Sequence, residues 1–130
     1  MKIKLETIMM SYNTLSNIRD KRLPLRVGYT LSKNLALLGQ EAEIIDAERR
    51  KLCEKYAIQK DGKPSITNGA YDMTPEDEIA CNTEYAEFLQ TKTDIPFTEI
   101  PLSLLETIDS GNYDALTPRE LDALSIFITE

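Results

Sequence analysis

The sequence contains no histidine. That absence removes the commonest general base at neutral pH, the usual nucleophile triads and most transition-metal sites in one step. Tryptophan is also missing, and no stretch approaches the roughly 18 consecutive apolar residues of a membrane span. The opening MKIKLETIMM lacks the apolar segment and small-residue cleavage site of a secretory signal, so the chain is expected to stay in the cytoplasm where it is made. Cysteine is limited to Cys53 and Cys81, with no C-x-x-C pair. Both fall at positions read as mid-helix. Reduced thiols packed as small apolar groups are the first expectation, and a disulfide between facing helices is the second. No glycine-rich phosphate loop or dinucleotide fingerprint occurs, and Lys60-Asp61-Gly62-Lys63 is a turn too short to cradle phosphates.

What is present is the composition of an ordinary globular chain: 130 residues, 42% hydrophobic and 28% charged. That length suits a single domain over residues 1–130 with a real core. The net charge of −7 is unevenly spread. Residues 1–35 hold Lys2, Lys4, Arg19, Lys21, Arg22, Arg26 and Lys33 against only Glu6 and Asp20, and the acids are concentrated in the rest. An acidic body argues against direct nucleic-acid binding, because phosphate neutralisation supplies most of that affinity. The cluster Arg19, Lys21, Arg22, Arg26 reads either as a solvated connection between helices or as a contact for a phosphate or an acidic partner.

Residues 1–5 alternate apolar and charged side chains, which suits a short strand with one buried face. Helical spacing follows at Leu5, Ile8, Met9, Tyr12, Leu15 and Ile18, giving a first helix over about 6–19. Pro24 then opens a long helix, about 25–56, whose seam Leu31, Leu35, Leu38, Ala42, Ile45, Leu52 and Tyr56 keeps heptad steps. Arg49 occupies the one missing seam position. A charge there needs a partner, and Glu78, Glu84 or another acid of the third helix is the expected one; a buried anion contact or a seam left open for another helix are the other readings. Gly39 is a weak point where the long helix could bend.

Two turn signals, K-D-G-K-P and T-N-G, flank Ser65-Ile66-Thr67 and predict a loop or irregular hairpin over 58–71. Thr74-Pro75-Glu76-Asp77 is a helix start, and the third helix, about 75–91, is expected to lie antiparallel to the long one with Ile79, Ala80, Ala86 and Leu89 on its apolar side and Tyr85 and Phe88 as further candidates for it. Residues 94–102 alternate between prolines 96 and 101 and read as an edge strand pairing with residues 2–5. Ser103 to Glu106 and Thr117 to Glu120 are capping boxes, predicting helices over 104–109 and 118–128 with a turn at Ser110-Gly111-Asn112 between them. The expected fold class is α+β, mainly α: a long helix in an antiparallel helical hairpin with a minimal two- or three-stranded antiparallel sheet.

Carboxylates are plentiful, at Glu41, Glu43, Asp46 and Glu48 on the long helix and at Glu76, Asp77, Glu78, Glu84 and Glu87 on the third. A di-iron bundle site would need Glu-x-x-His, which the sequence cannot supply. Solvated acidic faces are therefore expected, with no catalytic residue, metal or cofactor assigned.

The order of these features resembles an uncharacterised family of small proteins encoded by tailed phages and prophages of Gram-positive bacteria. The residues that carry the resemblance are Lys2-Ile3-Lys4-Leu5, the basic stretch from Lys21 to Lys33, the Glu-Arg-Arg-Lys-Leu run within Glu41 to Tyr56, the K-D-G-K turn, Glu84-Tyr85-Ala86-Glu87-Phe88-Leu89, the strand Phe97 to Pro101 and Thr117-Pro118-Arg119-Glu120-Leu121. It implies a viral origin and no mechanism. The function expected first is a non-enzymatic protein-binding module, an inhibitor of a host defence or regulatory protein, docking a helical face or its acidic surface onto that protein, with Arg19, Lys21, Arg22, Arg26 and Arg49 as the candidate partner or anion contacts. A virion assembly role, with homo-oligomers through the long helix, and a nucleotide-signal sponge stay open. A carboxylate-dependent hydrolase stands last.

Overall fold

The computed structural model describes residues 2–106 and 113–129. The chain is α+β and mainly α, and it forms two compact units, residues 1–42 with 92–130 and residues 43–91.

In the first unit, strand β1 (Lys2–Lys4) runs directly into helix α1 (Leu5–Leu15). The predicted face of α1 turns inward, with Leu5, Ile8 and Leu15 buried. The helix stops at Leu15 rather than at residue 19. A separate 3₁₀ turn, Ile18–Asp20, follows and buries Ile18. Helix α2 (Leu25–Tyr56) has the predicted bounds. Val27, Leu31, Leu35 and Leu38 on its first half are all at most 2% exposed. Gly39 faces Tyr12 on α1 with room for a side chain: a Cβ there would stand 3.5 Å from Tyr12 Cε2, an ordinary contact distance.

Among these apolar positions sits Asn34, fully buried. Its amide nitrogen donates to the Thr98 carbonyl at 2.8 Å, and the Thr98 N–H donates to its amide oxygen at 2.9 Å. A helix side chain thus takes the place of a neighbouring strand for this backbone unit.

That arrangement corrects the expected edge strand over 94–102. The residues pairing with β1 are those of β6 (Lys92–Asp94), antiparallel in the register Ile3↔Thr93. Beyond them Pro96 has no N–H to continue the ladder, and the Phe97 N–H turns back to Ile95 O. Strand β7 (Ile100–Pro101) then pairs in parallel with β8 (Ile128–Thr129), a contact the sequence reading did not foresee. Helix α4 (Leu102–Glu106) begins one residue before Ser103, so Ser103 lies inside it and is not its cap. The rest of the predicted 104–109 helix and the Ser110-Gly111-Asn112 turn lie outside the described residues.

Helix α5 (Pro118–Leu124) has the predicted capping box: Glu120 N–H to Thr117 Oγ1 at 3.1 Å and Thr117 N–H to Glu120 Oε1 at 2.9 Å. It ends at Leu124 instead of 128, because the chain leaves the helix to bury Phe127, which meets Phe97 edge-on at 4.8 Å between ring centroids, and to form β8.

The second unit contains the end of α2, two hairpins and helix α3 (Pro75–Leu89), which opens on Thr74, its hydroxyl accepting the Asp77 N–H. Helices α2 and α3 run antiparallel, Lys55 reaching Glu84 while Glu48 and Phe88 share a cleft further along. The inward face of α3 is Cys81 with half-buried Tyr85 and Phe88, at steps of four and three. Ile79, expected inside, is 68% exposed.

The irregular loop resolves into two tight hairpins, β2 (Gln59–Lys60) with β3 (Lys63–Pro64), and β4 (Ile66–Thr67) with β5 (Ala70–Tyr71). Asp61-Gly62 and Asn68-Gly69 form their tips, all four with positive φ, as two-residue turns of type I′ require. The hairpin bases close on one another. Ser65 N–H donates to Ile58 O, Asp72 N–H to Ser65 O, and Ile58 N–H to Asp72 O, at 2.7, 2.9 and 2.7 Å, a ring of three backbone bonds. The Asp72 carboxylate locks it by accepting from the Ser65 and Thr67 hydroxyls at 2.6 and 2.8 Å. Those two bonds hold the Asp72 carboxyl below the usual carboxylate range.

Candidate functional site

The basic connection between α1 and α2 does not act as one cluster. Lys21 is drawn inward: its ammonium donates to Glu120 Oε1 and to the Ala115 carbonyl, both at 2.7 Å. Glu120 is buried at the start of α5, so this pair straps the connection to the terminal helix. Burial opposes the charge on Glu120, but the bonds from Lys21 and Thr117 outweigh it and its carboxyl lies below its ordinary value. Arg22 contributes its backbone, with its N–H on Asp114 Oδ2 at 2.6 Å and its carbonyl accepting from the Asp114 N–H at 2.9 Å. Its side chain is exposed, as are those of Arg19 and Arg26.

Between these charges lies an apolar surface that the heptad reading passed over. Leu25 is 87% exposed and Tyr29 66% exposed. One turn apart on α2, they share a groove of about 290 Å³ with Arg19, Lys21, Leu23 and Gly28. The Lys33 ammonium stands 5.5 Å from the Tyr29 ring centroid. The signal in the sequence was an apolar pair at i, i+4 falling off the seam 31-35-38-42-45.

The electrostatics of this end are unusual. Helices favour acids in their first turn, where the backbone dipole is positive. Helix α3 follows the rule with Glu76, Asp77 and Glu78, whereas α2 has no acid in its first turn and carries Arg26. Asp20 is the only acid between Glu6 and Glu41. The dipole and the arginines therefore add at the start of α2, with Asp20 and the Asp114 carboxylate, held by the Arg22 N–H, as the acids beside them.

Arg49 belongs to the other unit and has a different partner from the expected one. Its Nε donates to Asp46 Oδ1 at 3.1 Å on its own helix, and Arg50 grips the other oxygen of the same carboxylate at 2.9 Å. No bond to Glu78 or Glu84 forms among the described residues; Glu84 is taken by Lys55 at 3.6 Å. At this point the seam is no longer closed, the Arg49 side chain being 40% exposed. Asp46, hydrogen-bonded to Arg49, lies below the usual carboxylate range. Arg49, Cys53, Met73, Glu78 and Cys81 line a cleft of about 500 Å³ under the hairpins.

Among the described residues no helix is long and apolar enough to cross a membrane. Comparison of the chain with protein-family models, curated proteins and solved structures gives no match.

Proposed function

We propose that the chain is a non-enzymatic protein-binding module of phage or prophage origin, which docks an acidic partner onto the positive, apolar face at the start of α2. A host defence or regulatory protein, met inside the bacterial cell, is the proposed partner. The observation that carries this reading is the pairing of exposed Leu25 and Tyr29 with exposed Arg19, Arg22 and Arg26. Aromatic and arginine side chains are the residues that most often anchor interfaces, and a positive rim speeds encounter with a negative surface. Lys21 supports the face by fixing the connection to α5 and is not itself offered to the partner.

The test is capture from host lysate with the full tagged chain, its Tyr29→Ala and Arg22→Glu/Arg26→Glu variants, and a Glu76→Gln control in the other unit. One acidic host protein should be held by the wild type and the control, released by moderate salt, and lost from both variants. A partner that stays bound to both variants would overturn the assignment. So would recovery of the chain in purified virions with no host protein attached, which belongs to the assembly role.

A further inference from the structure

Cys53 and Cys81 form a pair for which the docking role has no use. Cys53 is on α2, half-buried, and lines the cleft under the hairpins; Cys81 is on α3, 5% exposed, and lines the same cleft. The two residues face that cleft from the antiparallel helices, and Arg49 Nη1 stands 3.9 Å from the Cys53 sulfur. Burial, and then the neighbouring sulfur, push the Cys81 thiol up. Few other side chains hold this unit together: Ile45, Ala57 and Ser65 are its other buried residues among those described.

We infer that Cys53 and Cys81 are a thiol-disulfide modification site, at which a small-molecule disulfide such as glutathione disulfide staples α2 to α3. Solvent access sets the order of events. The half-exposed Cys53 sulfur, as thiolate, attacks one sulfur of the glutathione disulfide; its bond to that sulfur forms, the S–S bond of the reagent breaks, and one glutathione leaves as thiolate and takes a proton. Cys81 then gives up its proton to solvent and attacks the Cys53 sulfur, expelling the second glutathione. Two protein thiols are oxidised to one disulfide and one glutathione disulfide is reduced to two glutathiones. The new bond closes residues 54–80, both hairpins included, into a loop between the helices and so restricts the unfolded chain.

The full chain, in native buffer, is incubated with glutathione disulfide, quenched with an alkylating reagent and weighed by mass spectrometry. The wild type should lose two hydrogens, carry no glutathione and melt at a higher temperature, an increase that reducing agent reverses. Cys81→Ser should accumulate one glutathione at Cys53, and Cys53→Ser should stay unmodified while folded. Cys53→Ala and Cys81→Ala provide the same test should the serines unfold the unit. Stable glutathione on both cysteines of the wild type, or an internal bond that forms only after urea unfolds the chain, would overturn the inference.

Discussion

Asn34 shows how much a single polar side chain can decide. It is the fully buried polar residue in a leucine-rich stretch of α2, and both halves of its amide are spent on the Thr98 backbone. Asn34→Ala would take both partners from the Thr98 backbone, which lies on an exposed residue and can turn in part to water, and would leave space where the buried amide stood. The expected loss is about 1–3 kcal/mol by urea denaturation, with Thr98 the first backbone amide to gain exchange. Lys21 makes a similar case among charges. Lys21→Met would strand Glu120, whose side chain is only 10% exposed, and should cost about 1–3 kcal/mol and raise the Glu120 titration point seen by NMR. Neither role was legible from residue type. Asn34 reads as one more polar helix position, and Lys21 as one more member of a basic run, because the partner of each lies far along the chain.

At the scale of elements, local chemistry carried most of the information. Pro24 opening α2, Thr74-Pro75 opening α3 and the Thr117 capping box are interactions within a few residues, and the helices start where those signals stand. Two of the misplaced elements have ends that depend on distant partners, β6, settled by β1, and the end of α5, settled by β7, whereas α1 stops early at Leu15 and α4 starts one residue before Ser103. Two predictions belong here. Gly39→Ala places a methyl at ordinary contact distance from Tyr12 while removing glycine's entropic cost, so it should stabilise by about 0.5–1 kcal/mol and raise the thermal midpoint. The hairpin ring should be acid-labile. Asp72 has a folded-state pKa below its unfolded one, so its contribution is complete above roughly pH 4 and fades as pH falls toward the folded value. Asp72→Asn should flatten that part of the stability-against-pH curve.

For the whole molecule, burial is unequal. The fully buried large side chains fall almost entirely on residues 1–42 and 92–130, whereas residues 43–91 rely on half-buried groups such as Leu52, Tyr56, Tyr85 and Phe88. Hydrogen exchange should therefore find two levels of protection along the single helix α2, slower over 25–42 than over 43–56 under reducing conditions. The charge asymmetry was visible from composition, and it located the candidate face to within a few residues. The division of labour within that face was not visible, since only coordinates separate Lys21, turned inward, from Arg19, Arg22 and Arg26, exposed around Leu25 and Tyr29.

The three-way closure at Ile58, Ser65 and Asp72 has a consequence for variation. Each hairpin leaves the ring and returns to it seven residues later, so its tip is a self-contained excursion whose sequence the closure does not read beyond Thr67. Insertions at Asp61-Gly62 or Asn68-Gly69 lengthen one excursion and leave the three bonds in place. The segment between α2 and α3 is in that sense a socket, able to present different peptides from an unchanged base.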